Sequence, residues 1–220
     1  TASRVTPAQS ASKFASTYMS ENFDGGFNIQ SVTSKDGKDL TYIINQTMMR
    51  VELPQSMKTG GKFSFNVKWW YQINNHVTDG GRSGYELFPD GNRNYVIAQF
   101  YPRMAVYNDV EGWQNSQFWG RDEFALPFGN FEVNITVPAD HLLDGTGKLM
   151  NREEVFSRDM MKRYEKAKKS YDEPVVISTQ NEAEAREKGR SNKKNTWKLY
   201  AENVRDFGFA TSRKYIWDMM

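Results

Sequence analysis

The strongest constraint on the fold is the alternation of apolar and polar side chains over several short stretches. The apolar members are Phe63, Phe65, Val67 and Trp69 in one stretch, Phe131, Val133, Ile135 and Val137 in a second, and Trp197, Leu199 and Ala201 in a third. A period of two places alternate side chains on one face of a β-strand. Glycines, prolines and an Asp36-Gly37 turn signal separate such stretches. The sequence therefore predicts a mainly β globular domain.

Composition excludes some classes of function. With 29 basic and 27 acidic residues the formal net charge is +2, which gives no electrostatic reason to expect a nucleic-acid partner. There is no cysteine, and so no disulfide and no thiolate chemistry. No apolar run approaches the roughly 20 residues that a membrane-spanning helix needs. The chain starts without Met and ends on apolar residues, and we expect it to be part of a longer polypeptide.

Two segments depart from the β pattern. Residues 1–22 are rich in Ser, Thr and Ala, and we interpret them as a lead-in segment. The four-residue spacing of Phe14 and Tyr18 is compatible with a short amphipathic helix. Residues 152–194 are rich in charge and carry a narrow apolar stripe at helical spacing. We interpret them as a charged, partly helical insertion with a strand at residues 175–178. The β-domain that contains this insertion is predicted to span residues 23–218.

Residues 74–94 show no clear periodicity and contain several glycines, which predicts a long surface loop. Trp70 breaks the alternation of the strand that precedes this loop. Burial under a loop is the favoured interpretation of Trp70, and an exposed binding aromatic is the alternative.

The sequence contains no recognisable catalytic apparatus. Its two histidines, His76 and His141, are far apart, and no H-E-x-x-H pair of zinc ligands is present. There is also no G-x-S-x-G nucleophile elbow and no G-x-G-x-x-G dinucleotide fingerprint after a strand. We therefore predict no catalytic residue, no metal ligand and no cofactor in this chain.

A family resemblance is carried by six short segments. They are residues 80–86 (GGRSGYE), 99–107 (QFYPRMAVY), 120–124 (GRDEF), 135–140 (ITVPAD), 201–207 (AENVRDF) and 212–214 (SRK). In this order they resemble the amino-terminal domain of M1-family zinc metallopeptidases, the aminopeptidase N-like gluzincins. The similarity is greatest to the secreted or envelope-associated bacterial branch, and it extends over roughly residues 27–218.

The resemblance implies a fold, a partner and a location. The fold would be a saddle-like β-sandwich of mixed or antiparallel sheets that packs on a thermolysin-like catalytic domain. The zinc ion, the general-base glutamate and the G-x-M-E-N motif would belong to that domain, beyond Met220. The parent would be a zinc aminopeptidase acting on peptides, either secreted, periplasmic or associated with the outer envelope. This chain would be a non-catalytic wall of its substrate cleft.

Three residues are candidates for that wall. In the family a Gln or Glu helps to hold the free amine of the substrate, and it comes from the strand that corresponds to the residues around Gln99. Gln99 matches the family's glutamine. Tyr101 stands near a position where many members carry a Glu, and its ring could shape a pocket. Arg103 could pair with a carboxylate across the domain interface or lie at the surface. Equally, Gln99 could satisfy backbone groups at the end of the strand, and Tyr101 could belong to the core.

The alternative interpretation is a binding module, which is a different class of function. A free-standing β-sandwich could bind glycans or proteins, with Trp70, Trp113 or Trp119 as stacking platforms. A purely structural or interaction domain is a third interpretation.

Overall fold

The computed structural model describes residues 11, 23–118 and 125–220. The predicted lead-in segment, apart from Ala11, lies outside the described residues, as do Trp119 and residues 120–124. The described parts of Thr1–Ile73 and Ala105–Ala125 form one compact unit, and Asn74–Met104 with Leu126–Met220 form the other. We call these the first unit and the second unit.

The described residues contain fifteen strands and three helices. In chain order the strands are β1 (Asn28–Ser34), β2 (Tyr42–Asn45), β3 (Met48–Val51), β4 (Phe65–Trp70), β5 (Gly84–Leu87), β6 (Arg93–Ala98), β7 (Tyr107–Asn108), β8 (Gly112–Trp113), β9 (Gly129–Pro138), β10 (Leu142–Gly145), β11 (Lys148–Leu149), β12 (Val175–Ser178), β13 (Lys194–Val204), β14 (Gly208–Ser212) and β15 (Trp217–Met219). The helices are α1 (Arg152–Val155), α2 (Arg158–Ala167) and α3 (Gln180–Glu187). The fold is mainly β, as the alternation predicts.

The first unit consists of three antiparallel pairs, β1–β4, β2–β3 and β7–β8. The predicted turn at Asp36-Gly37 is present, since Gly37 has a φ of +80° and the Lys38 carbonyl accepts from the Ser34 N–H at 2.8 Å. Gln117 holds the β2–β3 turn: its side chain accepts from the Thr47 N–H at 2.9 Å and donates to the Asn45 carbonyl at 2.9 Å. The hairpin is therefore tied to the segment that follows β8.

The second unit contains a four-stranded sheet of order β10-β14-β6-β5, a three-stranded sheet of order β11-β13-β9, and the pair β12–β15. All of these strand pairs are antiparallel. Both larger sheets contribute to one hydrophobic core, as in a sandwich. Its buried members are Val137, Leu142, Leu143, Leu149, Phe156, Met160, Ala167, Ile177, Trp197, Leu199 and Phe207.

The segment 152–194 contains α1, α2, β12 and α3, and it also contributes to the core. Ser157 separates α1 from α2 and caps α2 by accepting from the Met160 N–H. Thr179 and Glu182 form a capping box that starts α3. Phe156, Met160, Ala167 and Ile177 are buried, although the segment is highly charged. The insertion is therefore an integral part of the second unit.

Two predictions are wrong. Residues 74–94 are not one long loop, because β5 lies within them and pairs with β6. Gly84 allows this arrangement: its φ is +146°, and a Cβ there would lie 2.4 Å from the Asn74 carbonyl oxygen. Trp70 is half exposed at 50%, so it is not buried under a loop.

The saddle shape and the single domain over residues 23–218 stay predictions. Among the described residues, no helix is both long and apolar enough to cross a bilayer.

Replacement of Phe156 by Ala tests whether the charged insertion stabilises the second unit. Its ring is 8% exposed and lies 6.1 Å from the Trp197 ring and 5.5 Å from the Trp217 ring, between centroids. We expect the free energy of unfolding to fall by about 3–5 kcal/mol in urea titrations, because a buried aromatic ring is lost. Tyr171→Ala, in the same insertion but 84% exposed, is the control and should change stability little. An equally small loss for Phe156→Ala would contradict an integral insertion.

Candidate functional site

Gln99 lies directly after β6, which ends at Ala98. Its side chain is exposed, and its φ is +55°, in the left-handed region. A residue with a Cβ is held there at a cost of roughly 1–2 kcal/mol, unless a local interaction compensates. Such conformations persist where the surrounding structure determines them, and they are frequent at ligand sites.

Tyr101 lies at the edge of an aromatic cluster in the second unit. Its ring centroid is 5.1 Å from that of Phe100 and 5.8 Å from that of Phe131, both in edge-to-face geometry. Its hydroxyl donates to Asp206 Oδ1 at 2.7 Å. The ring is thus part of the partly buried packing layer, and its polar end is occupied by a carboxylate.

Arg103 pairs with the same carboxylate. Its Nη1 lies 3.0 Å from Asp206 Oδ2, and the two side chains are 19% and 34% exposed. The Phe207 N–H also donates to Asp206 Oδ1, at 2.8 Å. The carboxylate partner of Arg103 therefore lies within this chain. We call Tyr101, Arg103 and Asp206 the Asp206 cluster.

The electrostatics of the cluster keep Tyr101 as a neutral donor. Burial raises the pKa of the Tyr101 phenol, and the hydrogen bond to Asp206 and the charge of Asp206 raise this pKa further. The phenol is therefore protonated throughout the physiological range.

The structure thus brings two of the three predicted site residues together and leaves the third exposed to solvent. Tyr101 and Arg103 meet on Asp206, whereas Gln99 projects into solvent from the same segment. An exposed carboxamide can both donate and accept hydrogen bonds, so it can orient a polar ligand. Asp206 lies in one of the six segments that carry the resemblance, but the sequence gives no signal that it would bind Tyr101 and Arg103.

The histidines do not form a zinc site. His141 is 7% exposed, and its Nδ1 lies 3.2 Å from Thr211 Oγ1. Since the Thr211 hydroxyl donates to the Leu142 carbonyl, His141 Nδ1 carries a proton and is the donor in this pair. Within residues 23–118 and 125–220, no group of three or more His, Asp or Glu side chains is placed to hold a metal ion. The described residues therefore do not fit zinc.

Two of the three candidate stacking tryptophans are described, and both are exposed. Trp70 is 50% exposed and Trp113 is 56% exposed. Trp113 lies beside Tyr107, which is 64% exposed, with 5.3 Å between ring centroids and 68° between the ring planes. The β7–β8 hairpin therefore presents two aromatic side chains to solvent.

Comparisons with models of protein families, with curated proteins and with solved structures find no match for this chain.

The stability of the chain should fall in mild acid because of His141. Burial lowers the pKa of His141 to about 4, the positive charge of Arg213 lowers it too, and Asp140 opposes them. Between its unfolded pKa of 6.5 and pH 4 the unfolded chain takes up a proton that the folded chain does not. The contribution is complete above pH 6.5 and is lost as the pH falls towards 4, by about 3 kcal/mol.

Urea titrations at pH 7, 6, 5 and 4 measure this loss. We expect a clearly flatter pH dependence for His141→Gln than for the original chain, whatever its stability at pH 7. Parallel profiles for the original chain and His141→Gln would show that another group is responsible.

Proposed function

We propose that this chain is the non-catalytic amino-terminal domain of a zinc-dependent aminopeptidase of the M1 family. It would pack on the catalytic domain and line the cleft that receives peptide amino termini. The observation that carries the proposal is Gln99: an exposed carboxamide, held in a left-handed conformation, on a segment fixed by the Asp206 cluster. This residue matches the position of the family's substrate-binding glutamine in the sequence resemblance.

The chemistry of the ligand fits an exposed carboxamide. A peptide amino terminus carries an ammonium group with N–H donors, and the Gln99 Oε1 atom can accept one of them. Tyr101 and Arg103 contribute through the position of the segment, because the Tyr101 hydroxyl and Arg103 Nη1 both donate to Asp206. The zinc ion would activate water in the catalytic domain. This chain would bind and orient the peptide.

Exposed apolar side chains in the first unit support a protein partner. Ile43 and Ile44 are neighbours in β2, so they point to opposite faces, and they are 55% and 51% exposed. An isolated two-stranded ribbon is only marginally stable in water. A catalytic domain that packs on one face of this hairpin would bury the isoleucine on that face. We further propose a secreted, periplasmic or outer-envelope location in a bacterium, on the strength of the branch that the sequence resembles.

Substitution of Gln99 by Gly separates its strain from its role in binding. The change removes the left-handed strain of roughly 1–2 kcal/mol and adds the chain entropy of glycine, roughly 0.5–1 kcal/mol. We therefore expect stability to be unchanged or slightly increased. In the full-length protein the KM for an aminoacyl substrate should rise about tenfold with little change in kcat, since a ground-state contact is lost.

Gln46→Gly is the matched control, because Gln46 is also an exposed glutamine, with a φ of +53°. Its effect on stability should be similar, and its KM should not change. Equal KM values for Gln99→Gly and the original protein would contradict the role of Gln99. The proposal as a whole fails if the reading frame beyond Met220 encodes no H-E-x-x-H motif, or if chelators leave the hydrolysis unaffected.

A carbohydrate-binding module is the second candidate, favoured by the exposed Tyr107 and Trp113 rings of the β7–β8 hairpin. Aromatic side chains that are apolar on their faces and polar at one end are typical of binding surfaces. If this candidate is correct, the 220-residue chain binds members of a glycan array, and Trp113→Ala abolishes the binding. Trp70→Ala, which removes another half-exposed tryptophan, should then leave the binding intact. Absence of glycan binding by the original chain would exclude this candidate.

A further inference from the structure

The segment from Ala98 to Arg103 is fixed at both of its ends. At the first end, Ala98 pairs with Gly208 of β14, and the Ala98 N–H donates to Ser83 Oγ at 3.0 Å. At the second end, Tyr101 and Arg103 both donate to Asp206. Gln99 lies between these two anchors.

Asp206 is itself held by the backbone that leads into β14. It lies two residues before Gly208, and its Oδ1 accepts from the N–H of Phe207. The carboxylate therefore has a fixed direction relative to the β6–β14 pair, because that pair begins at Ala98 and Gly208. Both of its oxygens accept from side chains of the segment that carries Gln99.

From this geometry we infer that Asp206 is a positioning residue, which holds Gln99 in its exposed left-handed conformation and so aims the carboxamide at the ammonium group of a peptide. The claim that the carboxamide points at an ammonium group rests on the proposed function. The claim that Asp206 holds the backbone conformation of Gln99 does not. Hydrogen bonds that involve an ionised group are shorter and stronger than neutral ones and fix direction as well as distance. Two such bonds, one at residue 101 and one at residue 103, restrict the backbone that runs from the end of β6 to Arg103.

A purely stabilising ion pair makes a different prediction. If Asp206 served only stability, its loss would lower the free energy of unfolding without a specific effect on Gln99. A positioning role instead couples Asp206 to Gln99, so the effects of the two substitutions on KM are not additive.

The first test uses the 220-residue chain and needs no peptidase activity. Asp206→Asn keeps the size of the side chain but removes its charge, and backbone NMR chemical shifts and couplings report φ at Gln99. We expect the left-handed signature of Gln99 to be lost or averaged in Asp206→Asn and retained in Asp218→Asn, which changes an exposed carboxylate in β15. Retention of the signature in Asp206→Asn would overturn the inference. If Asp206→Asn does not fold, Tyr101→Phe, which removes only the hydroxyl donor, is measured in its place with the same two outcomes.

The second test uses the full-length protein. In Asp206→Asn we expect an increase in KM of about tenfold for an aminoacyl substrate, with kcat within about twofold of the original value. Adding Asp206→Asn to Gln99→Ala should raise KM no further. Additive effects would show that Asp206 does not act through Gln99. If the full-length protein hydrolyses no aminoacyl substrate, the proposed function fails, and the NMR result alone then decides whether Asp206 holds Gln99.

Discussion

The long antiparallel ladder between β9 and β13 is the interaction on which the second unit depends. It pairs Lys194 with Pro138 at one end and Ala201 with Phe131 towards the other. Its strict alternation directs Trp197 and Leu199 into the core, where both are 1% exposed. Phe156 of the charged insertion packs on Trp197 of this ladder, with 6.1 Å between ring centroids, and α2 packs on β12. These contacts matter because a narrow apolar stripe on a charged helix is stable only when it is covered. The ladder therefore supplies the packing surface for α1 and Phe156, and β12 supplies the surface for α2.

The same ladder also determines where the candidate site lies. Its regular pairing is interrupted between Ala201 and Val204, where Asn203 adopts a φ of +53° and its N–H donates to Asn130 Oδ1 at 3.0 Å. The chain then leaves this sheet, passes through Asp206 and enters the other sheet as β14. Asp206 therefore stands between the two sheets of the second unit, opposite the residues that follow β6. If Asp206 positions Gln99, as we propose, the direction of Gln99 depends on an irregularity more than one hundred residues later in the chain.

The sequence predicts those features that depend on local periodicity. The alternation in residues 131–137 and 197–201 identifies β9 and β13, and the apolar stripe in residues 152–194 indicates a helix where α2 lies. It does not predict β5, because Gly84 and its contact with Asn74 depend on tertiary packing. Nor does it predict the Asp206 cluster, since Tyr101 and Asp206 are 105 residues apart and no periodic pattern links them. The resemblance indicates Gln99, but the left-handed backbone of Gln99 is visible only in the structure.

The use of charge at Asp206 has a physical reason that stability alone does not supply. A partly exposed ion pair contributes little to stability, and apolar side chains could fill the same space. Apolar contacts are not directional, however, and an exposed residue beyond the end of a strand has few other contacts to fix its orientation. One carboxylate that accepts from both Tyr101 and Arg103 makes directional contacts with the segment that follows Gln99. A charged acceptor at Asp206 therefore supplies the directional contacts that the proposed role of Gln99 requires.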